Sequence, residues 1–364
     1  MFWRMSSDRT PVVVIGAGQS GLAAANAIRS RGLRPLVLEA GHKRSGSWSY
    51  YYDSLHLFSP ARFSAMPGLP FPGDPDRYPH RDEVVSYLES YADRLDDVEI
   101  RTGTRVTEVT ADGPGFTVHT ADDQQLAASG VVVASGSFGN PHRPVLAGAE
   151  SFRGVITHVA DYRNPEPYVG QRVVVLGAGN SAIQVAHELA EKSTVTVARL
   201  RSPAFVPQVV NGYDVHHWFD VTGFDHMPGT WLALLAGPPL VLDTGDYRAA
   251  YETGRLDQRP VFTGLDGDQV EWADGRREHV DAIILATGYR PDVDYLSTMG
   301  ALDESGRPRH VGGISTTHPG LVYLGLEGQR SFASNTLRGV SLDADQIMPA
   351  LTAYASGALS ALGL

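Results

Sequence analysis

The stretch VVVIGAGQSG, residues 12–21, decides the fold of this chain. A run of β-branched residues leads into Gly16, Gly18 and Gly21, and an alanine-rich helical pattern follows. This order predicts a strand, a tight turn and a helix whose N-terminus binds the phosphates of a dinucleotide. The first glycine permits the turn, the second lets a pyrophosphate approach the backbone, and the third lets the helix pack closely on the strand.

An acidic residue stands where such a unit recognises the ribose of its ligand. We expect the helix to begin near Ser20 and a second strand to end at Glu39. A carboxylate at this position accepts hydrogen bonds from ribose hydroxyls and repels a 2′-phosphate. The first unit is therefore predicted to bind FAD or NAD rather than NADP. The alternative is a glycine-rich turn without a ligand, which the register of strand, turn, helix, strand and acid disfavours.

The same signature occurs a second time, as VVVLGAGNSA at residues 173–182. Gly177 and Gly179 repeat the first two glycines, and Asn180 and Ser181 stand at the start of the following helix. These two side chains can contact the NADP pyrophosphate or cap the helix. Two such units in one chain imply two dinucleotides, and therefore a flavin that is reduced by a nicotinamide.

Basic residues follow the second unit where the first unit has Glu39. Arg199 and Arg201 come at the end of the predicted strand, and a guanidinium group pairs bidentately with a phosphate. The second unit is therefore predicted to bind NADPH. NADH stays possible, because either arginine can instead be a solvated surface residue.

Composition narrows the class of protein. With 364 residues, 42% of them hydrophobic and 20% charged, the chain is long enough for a soluble two-domain enzyme. Its net charge of −11 argues against nucleic-acid or anionic-membrane partners. The absence of cysteine excludes a disulfide scaffold, a Cys-based zinc site and a redox-active CxxC pair.

We expect a cytoplasmic location and no membrane partner. The first ten residues lack the apolar run of a signal peptide, and the apolar stretch 231–242 is too short to span a bilayer. The sequence leaves the oligomeric state open, with a homodimer possible. The adjacent His216 and His217 do not share a helical face, so no metal site is predicted.

A motif between the two units resembles a known family. FRGVITHVADY, residues 152–162, matches the FxGxxxHxxx(Y/F) motif of flavin-containing monooxygenases at Phe152, Gly154, His158 and Tyr162. In that family the histidine is expected to be structural. The segments SGSW at 45–48 and LATGY at 285–289 are similar to further family elements, and residues 54–72 resemble bacterial members and the plant indole-pyruvate monooxygenases.

The two units and the resemblance together predict an α/β fold of two Rossmann-like dinucleotide-binding domains of the three-layer ββα type. Residues 1–150 and 286–364 are expected to form the FAD-binding domain, and residues 151–285 an inserted NAD(P)H-binding domain. The resemblance implies that NADPH reduces FAD and that O₂ adds to the reduced flavin as a C4a-hydroperoxide. The oxygen then passes to the sulfur or nitrogen of a small molecule, or to a ketone.

The resemblance also suggests further cofactor contacts. Trp48 and Gly136 are expected beside FAD, although Trp48 can equally fill the core. Gln329 and Asn335 precede the last helix, whose N-terminus faces the flavin in such folds. Asn335 can alternatively cap that helix. Residues 210–255 carry no family signature and are expected to cover the active site.

One residue departs from the family pattern. Phe58 stands where many flavin-containing monooxygenases have an asparagine that supports the oxygenated flavin. No catalytic acid or base is assigned. Two alternatives therefore stay open: an NAD(P)H oxidase or reductase that releases H₂O₂, and a non-catalytic regulator that binds a flavin or nucleotide. A flavin disulfide reductase of the thioredoxin-reductase kind shares the two-unit plan, but the lack of cysteine removes its redox centre and argues against it.

Overall fold

The computed structural model describes residues 10–234, 237 and 239–358. The expectation about a signal peptide rests on residues 1–10, of which 1–9 lie outside the described residues. Part of the apolar stretch 231–242 and the last six positions of the predicted FAD domain lie outside them as well.

The strands before residue 134 are β1 (Val12–Ile15), β2 (Pro35–Leu38), β3 (Glu99–Arg101), β4 (Val106–Asp112), β5 (Gly115–Thr120), β6 (Gln125–Ala128) and β7 (Gly130–Val133). Those of the middle of the chain are β8 (Val155–His158), β9 (Arg172–Leu176), β10 (Thr194–Arg199), β11 (Ala204–Pro207), β12 (Val209–Val210), β13 (Tyr213–Asp214), β14 (Leu240–Asp243), β15 (Asp257–Pro260), β16 (Gly264–Asp266), β17 (Gln269–Glu271), β18 (Arg277–His279) and β19 (Ala282–Leu285). The last are β20 (His310–Val311), β21 (Ile314–Ser315) and β22 (Leu321–Tyr323).

The described residues also form α-helices, which are α1 (Gln19–Ser30), α2 (Arg81–Asp93), α3 (Asn180–Leu189), α4 (Val215–Val221), α5 (Gly229–Leu234), α6 (Asp246–Glu252) and α7 (Val340–Ala355). Helix α1 is followed by a glycine that ends it. Gly32 has a φ of +71°, the left-handed conformation that glycine adopts at low cost after a helix.

The first sheet joins the beginning and the end of the chain. Its strand order is β20-β21-β22-β7-β1-β2-β3. The pairs from β22 to β3 are parallel, and β20 and β21 add an antiparallel edge. Parallel strands are buried on both faces, and every residue of β1, β2 and β7 is buried.

The side chains of β1 point alternately to the two faces of this sheet, and their contacts show which layer covers each face. Val12 and Val14 pack with helices α1, α2 and α7 in one hydrophobic cluster. Val13 and Ile15 pack against the antiparallel sheet β4-β5-β6 in another cluster. Successive side chains of a strand point to opposite faces, so the sheet is covered by helices on one side and by a second sheet on the other.

The second parallel sheet repeats this arrangement with strands from residues 155–285. Its order is β15-β10-β9-β19-β8. Val173 and Val175 of β9 pack with α3, whereas Val174 and Leu176 pack against the antiparallel sheet β16-β17-β18. The predicted α/β fold with two Rossmann-like, three-layer ββα units is therefore confirmed. The boundaries at 150/151 and 285/286 stay a prediction.

Two extended segments connect the sheets and pair with each other. The amide of His142 donates to the carbonyl of Gly288 over 2.9 Å, and the Ser135 hydroxyl donates to the carbonyl of Asp292 over 2.6 Å. These bonds hold the ends of β7 and β19 close together, so the cofactor ends of the two units face one cleft. In the described part of the chain, no helix is long and apolar enough to cross a membrane.

Candidate active site

The first glycine-rich turn is built as its sequence predicts. Gly16 has a φ of +104°, and a Cβ there would lie 2.5 Å from the carbonyl oxygen of Ala134. A Cβ on Gly21 would lie 1.8 Å from the carbonyl oxygen of Gly16. Both positions therefore require glycine, because side chains would collide with the backbone of the next strand or of the turn.

The N-terminus of α1 is open toward the cleft. Gly18 is the N-cap residue, and no side chain caps the helix. Among the described residues, leaving out the chain neighbours of Gly18, the atom nearest to a Cβ built there is the Cα of Gly46, at 3.8 Å. Gly18, Ser20 and Gly46 line the cleft, so a pyrophosphate can approach the free amides at the positive end of the helix dipole. This geometry fits a dinucleotide.

Glu39 follows β2 and fixes the loop that borders this end of the cleft. One carboxylate oxygen accepts the amide of Ala17 over 2.7 Å, and the other accepts the amide of Gly41 over 2.7 Å. Glu39 lines the cleft and is 8% exposed. A carboxylate has further lone pairs for ribose hydroxyls, so these two bonds leave its predicted role available.

The second glycine-rich turn has the same geometry. Gly177 has a φ of +146°, and its Cβ would lie 2.3 Å from the carbonyl oxygen of Ala286. Gly179 is the N-cap of α3, which no side chain caps. The capping alternative for Asn180 is therefore wrong: Asn180 is the first helical residue, and its side-chain oxygen accepts the amide of Leu242 over 3.0 Å.

These parts meet in one large cleft of about 1020 Å³. It extends from Glu39 and Gly16 past Gly136 to Asn180 of the second unit. A smaller cavity of about 420 Å³ adjoins it and is lined by Gly179, Asn180 and Ser181 at the start of α3, with Tyr52 and Tyr289 opposite. Asn180, Trp48 and Phe58 line both spaces, which places the second unit beside the first.

One end of the cleft is apolar and aromatic. Phe58, Phe219 and Phe332 line it together with Leu240. Phe219 and Phe332 meet edge to face, with ring centroids 5.2 Å apart. The segment 210–255 supplies Phe219 and Leu240 to this wall. The indole nitrogen of Trp48 donates to the side-chain oxygen of Gln19 over 2.7 Å, so Trp48 makes a polar contact at the cleft.

Asn335 and Gln329, the two residues predicted before the last helix, differ in whether they line the cleft. Asn335 lines the cleft, has a φ of +69°, and its carbonyl accepts the side-chain amide of Gln19 over 3.0 Å. Its capping alternative is wrong, because Gly339 is the N-cap of α7. Gln329 is 6% exposed and does not line the cleft. Its amide nitrogen lies against Gly313, where a Cβ would approach to 2.3 Å.

The two arginines of the second unit lie outside the lining of the two cavities. Arg199 ends β10, is half-buried, and donates from Nη2 to the side-chain oxygen of Gln258 over 2.8 Å. Arg201 is exposed. Both remain at the carboxyl edge of the second sheet, where the ribose end of a dinucleotide is expected.

His158 has a structural environment, as the resemblance implies. The side chain is fully buried, its Nε2 lies 3.2 Å from the carbonyl of Gly288, and its Nδ1 accepts the amide of Ala160 over 3.1 Å. Burial lowers the pKa of His158, and Arg143 acts in the same direction. The neutral ring therefore ties β8 to the link after β19.

Sequence reasoning missed several groups of the cleft. Gln19 holds Trp48 and Asn335, Asp292 lines the cleft near Gly136, and His216 faces the aromatic end. Burial raises the pKa of Asp292. Asp292 lies three positions after the LATGY segment, so that segment could have pointed to it. Among the described residues, no cluster of three or more His, Asp or Glu could hold a metal ion.

Two helices with uncapped N-termini follow strands of two parallel sheets, and both N-termini open onto one cleft. This arrangement defines a flavoprotein that uses a second dinucleotide. Comparisons with known proteins agree. Residues 13–217 match the family described as pyridine nucleotide-disulphide oxidoreductase. The chain is 31% identical to the uncharacterized oxidoreductase CzcO-like of Geobacillus kaustophilus, over 93% of this chain and 97% of that protein. It is also 31% identical to indole-3-pyruvate monooxygenase YUCCA1 of Oryza sativa, over 80% and 79% respectively.

A solved structure shows the same architecture. The flavin-containing monooxygenase from Stenotrophomonas maltophilia is 31% identical and superposes with a TM-score of 0.83, covering 95% of this chain and 99% of that one. The chain belongs to the flavin-containing monooxygenase family. It is an FAD-dependent monooxygenase, an oxidoreductase whose cofactors are FAD and NADP.

Proposed function

We propose that the enzyme transfers one atom of O₂ to the sulfur or nitrogen of a small, partly aromatic molecule, or to a ketone, with NADPH as the reductant. The observation that carries this proposal is the continuous cleft of about 1020 Å³, which links the first glycine-rich turn to an aromatic wall. Its apolar end favours a molecule that is itself largely apolar. A homodimer and a cytoplasmic location stay predictions.

The residues of the chain would divide the work by position. We propose that Gly16, Gly18 and Ser20 hold the FAD pyrophosphate and that Glu39 holds its ribose. At the second unit, Gly179, Asn180 and Ser181 would hold the NADPH pyrophosphate, with Gly177 shaping the turn and Arg199 and Arg201 meeting the 2′-phosphate. When bound, FAD reduced by NADPH supplies the activated oxygen. Phe58, Phe219 and Phe332 would exclude water and position the substrate.

Phe58 favours a second candidate function, an NADPH oxidase that releases H₂O₂. Phe58 lines the cleft at the position where the family resemblance places an asparagine, and its side chain offers no polar group. Its backbone carbonyl already accepts the side-chain amide of Gln208 over 2.9 Å. With no side-chain donor at position 58, productive transfer of oxygen depends on the exclusion of water by the surrounding aromatic rings.

One experiment separates these functions. The purified protein is tested for bound flavin, and NADPH consumption is measured with and without methyl phenyl sulfide. We expect sulfoxide in near-equal amount to the NADPH consumed. NADPH consumption that yields only H₂O₂ would replace this proposal with the oxidase function. Protein without flavin and without turnover would instead support a regulator.

A further inference from the structure

A buried acid–histidine pair lies in the wall of the cleft. Asp214 is the N-cap of α4 and accepts the backbone amide of His216 over 2.8 Å. The same carboxylate oxygen lies 2.8 Å from Nδ1 of the His216 ring. The two side chains are only 13% and 5% exposed. This pair needs an explanation, because buried polar groups are costly unless the structure satisfies them.

Hydrogen bonds from three side chains hold Asp214 in its ionised form. Its second oxygen accepts the hydroxyl of Tyr78 and, over 2.8 Å, the side-chain amide of Gln208. Burial by itself would raise the pKa of Asp214, but the hydrogen bonds from His216, Tyr78 and Gln208 outweigh it and hold the pKa below its ordinary value. An ionised carboxylate only accepts hydrogen bonds, so Nδ1 of His216 must be the donor.

When the ring is neutral, this tautomer leaves Nε2 as the nitrogen with a lone pair. His216 lines the cleft, and no protein group within the described residues forms a hydrogen bond with Nε2. The ring is clamped by Phe63, stacked at 6.4 Å, and by Phe219, edge-on at 5.4 Å. A ring fixed by its neighbours and by a carboxylate on Nδ1 presents Nε2 as a preorganised proton acceptor.

We propose that His216 is the base that accepts a proton from a protonated amine substrate, and that Asp214 is the residue that positions it. The inference rests on the proposed monooxygenase function and narrows its substrate class. An ammonium group has no lone pair to attack oxygen, so it must lose a proton before it reacts. The aromatic side chains at this end of the cleft, Phe58, Phe219 and Phe332, suit a cation as well as an apolar group.

The stoichiometry of amine oxygenation is compatible with a base that holds the released proton inside the cleft. The reaction R₂NH₂⁺ + O₂ + NADPH → R₂NOH + H₂O + NADP⁺ balances in atoms and charge. The N–H bond breaks, its electron pair stays on nitrogen, and the proton passes to Nε2 of His216. NADPH is oxidised, and one oxygen atom of O₂ leaves as water. The proton released by the ammonium group balances the proton that is consumed when water forms.

Other charged groups near the imidazole are paired or exposed. Asp220 lies one turn further along α4 and is exposed. From the loop before α7, Arg338 donates to Asp225 through bonds of 2.7 and 2.8 Å. From the loop before α2, Arg62 pairs with Asp76 at 2.6 Å. In the part of the chain that the structure describes, Asp214 is therefore the charged group that contacts the ring.

The test compares three substrates in the FAD-loaded enzyme. N-methylbenzylamine is protonated at neutral pH, whereas N,N-dimethylaniline is largely neutral and methyl phenyl sulfide carries no exchangeable proton. In His216→Gln we expect kcat/KM for N-methylbenzylamine to fall by about 100-fold at pH 7, with little change for the other two. Raising the pH should restore the loss, because the free amine then enters directly.

A neighbouring histidine provides the matched control. His217 does not line the cleft, and its ring stacks on Tyr213 at 4.5 Å. His217→Gln should leave all three substrates unaffected. Equal losses for all three substrates in His216→Gln, or no loss for the amine, would overturn the role of His216. The same holds if the wild type oxygenates the sulfide but not N-methylbenzylamine at any pH. Failure on every substrate would instead contradict the proposed function.

The positioning role of Asp214 needs a measurement whose result would not change if Asp214 only stabilised the fold. Asp214→Asn keeps a side-chain oxygen that can cap α4, but it removes the charge that fixes the tautomer of His216. We expect the acid limb of the amine pH profile to shift, and nitrogen-15 spectra of the His216 ring to lose the Nδ1–H tautomer. An unchanged profile and an unchanged tautomer would show that Asp214 only caps the helix.

Discussion

Single residues of opposite charge make the two nucleotide sites unequal. Glu39 follows β2 directly, and Arg199 ends β10 at the equivalent place in the second unit. The carboxylate of Glu39 is tied to the amides of Ala17 and Gly41, so it cannot turn away from the cleft. Within the described residues, the Arg199 guanidinium bonds the neutral side chain of Gln258 and no carboxylate, so its charge is available for a phosphate.

The arginines can be tested by comparing the two nicotinamide cofactors. Arg199→Ala and Arg201→Ala, singly and together, remove the guanidinium groups that would pair with the 2′-phosphate of NADPH. We expect KM for NADPH to rise about 10-fold or more in the double variant, which corresponds to about 1.4 kcal/mol or more, while KM for NADH changes little. Steady-state kinetics with both cofactors provide the measurement. An unchanged preference in the double variant would remove both residues from the site.

The residues of the site differ in how far the sequence could predict them. Gly16, Gly18 and Glu39 act through local spacing, because a strand, a turn and a helix bring them together within one βαβ unit. The pair of Asp214 and His216 depends on tertiary contacts instead. Asp214 bonds Tyr78, which lies 136 positions away in the chain. No periodicity or motif in the sequence records such a contact.

At the scale of elements, the two units differ in how closely helix and strand pack. A Cβ on Gly21 would lie 1.8 Å from the carbonyl oxygen of Gly16, whereas the second unit has Ala182 at the matching position, fully buried within α3. Helix α1 therefore approaches its turn more closely than α3 does. The matching positions form a natural pair for substitution.

We expect Gly21→Ala to destabilise the fold by about 3 kcal/mol, because the backbone of the turn cannot yield as a flexible side chain would. Bound flavin should fall as α1 is displaced. The reverse change, Ala182→Gly, should cost only about 1 kcal/mol, the difference in helix propensity. Denaturant unfolding and flavin absorbance give the two readouts. Equal effects of both changes would show that the close approach of α1 is not required.

Elements with strong local patterns were predictable, and short ones were not. The strand predicted before Gly16 is β1, Val12–Ile15, and the helix predicted to start at Asn180 and Ser181 runs from Asn180 to Leu189. Residues 210–255 gave no readable pattern because they form strands of two to four residues and helices of six or seven residues. Such elements carry too few residues for a period to emerge, and packing against the rest of the chain decides their conformation.

The whole molecule joins two sheets around one cleft, so cofactors should stabilise it as ligands of the folded state. A ligand that binds only the native state adds about 2.7 kcal/mol at a free concentration 100 times its Kd. We therefore expect removal of FAD to lower the thermal midpoint and re-addition to restore it. NADP⁺ should raise the midpoint by a separate increment, because Glu39 follows a strand of the first sheet and Arg199 ends a strand of the second.

Two variants assign these increments to their sites. Glu39→Ala removes the ribose acceptor and frees the amides of Ala17 and Gly41, so the increment from FAD should shrink. The double variant of Arg199 and Arg201 leaves the first unit intact, so it should keep the full FAD increment and lose most of the increment from NADP⁺. If the arginine variant lost the FAD increment instead, the order of the two sites would be reversed. Asn180 lines both cavities. Its substitution should therefore reduce the increment from NADP⁺ without abolishing the increment from FAD. That result would place the boundary between the two sites at the start of α3.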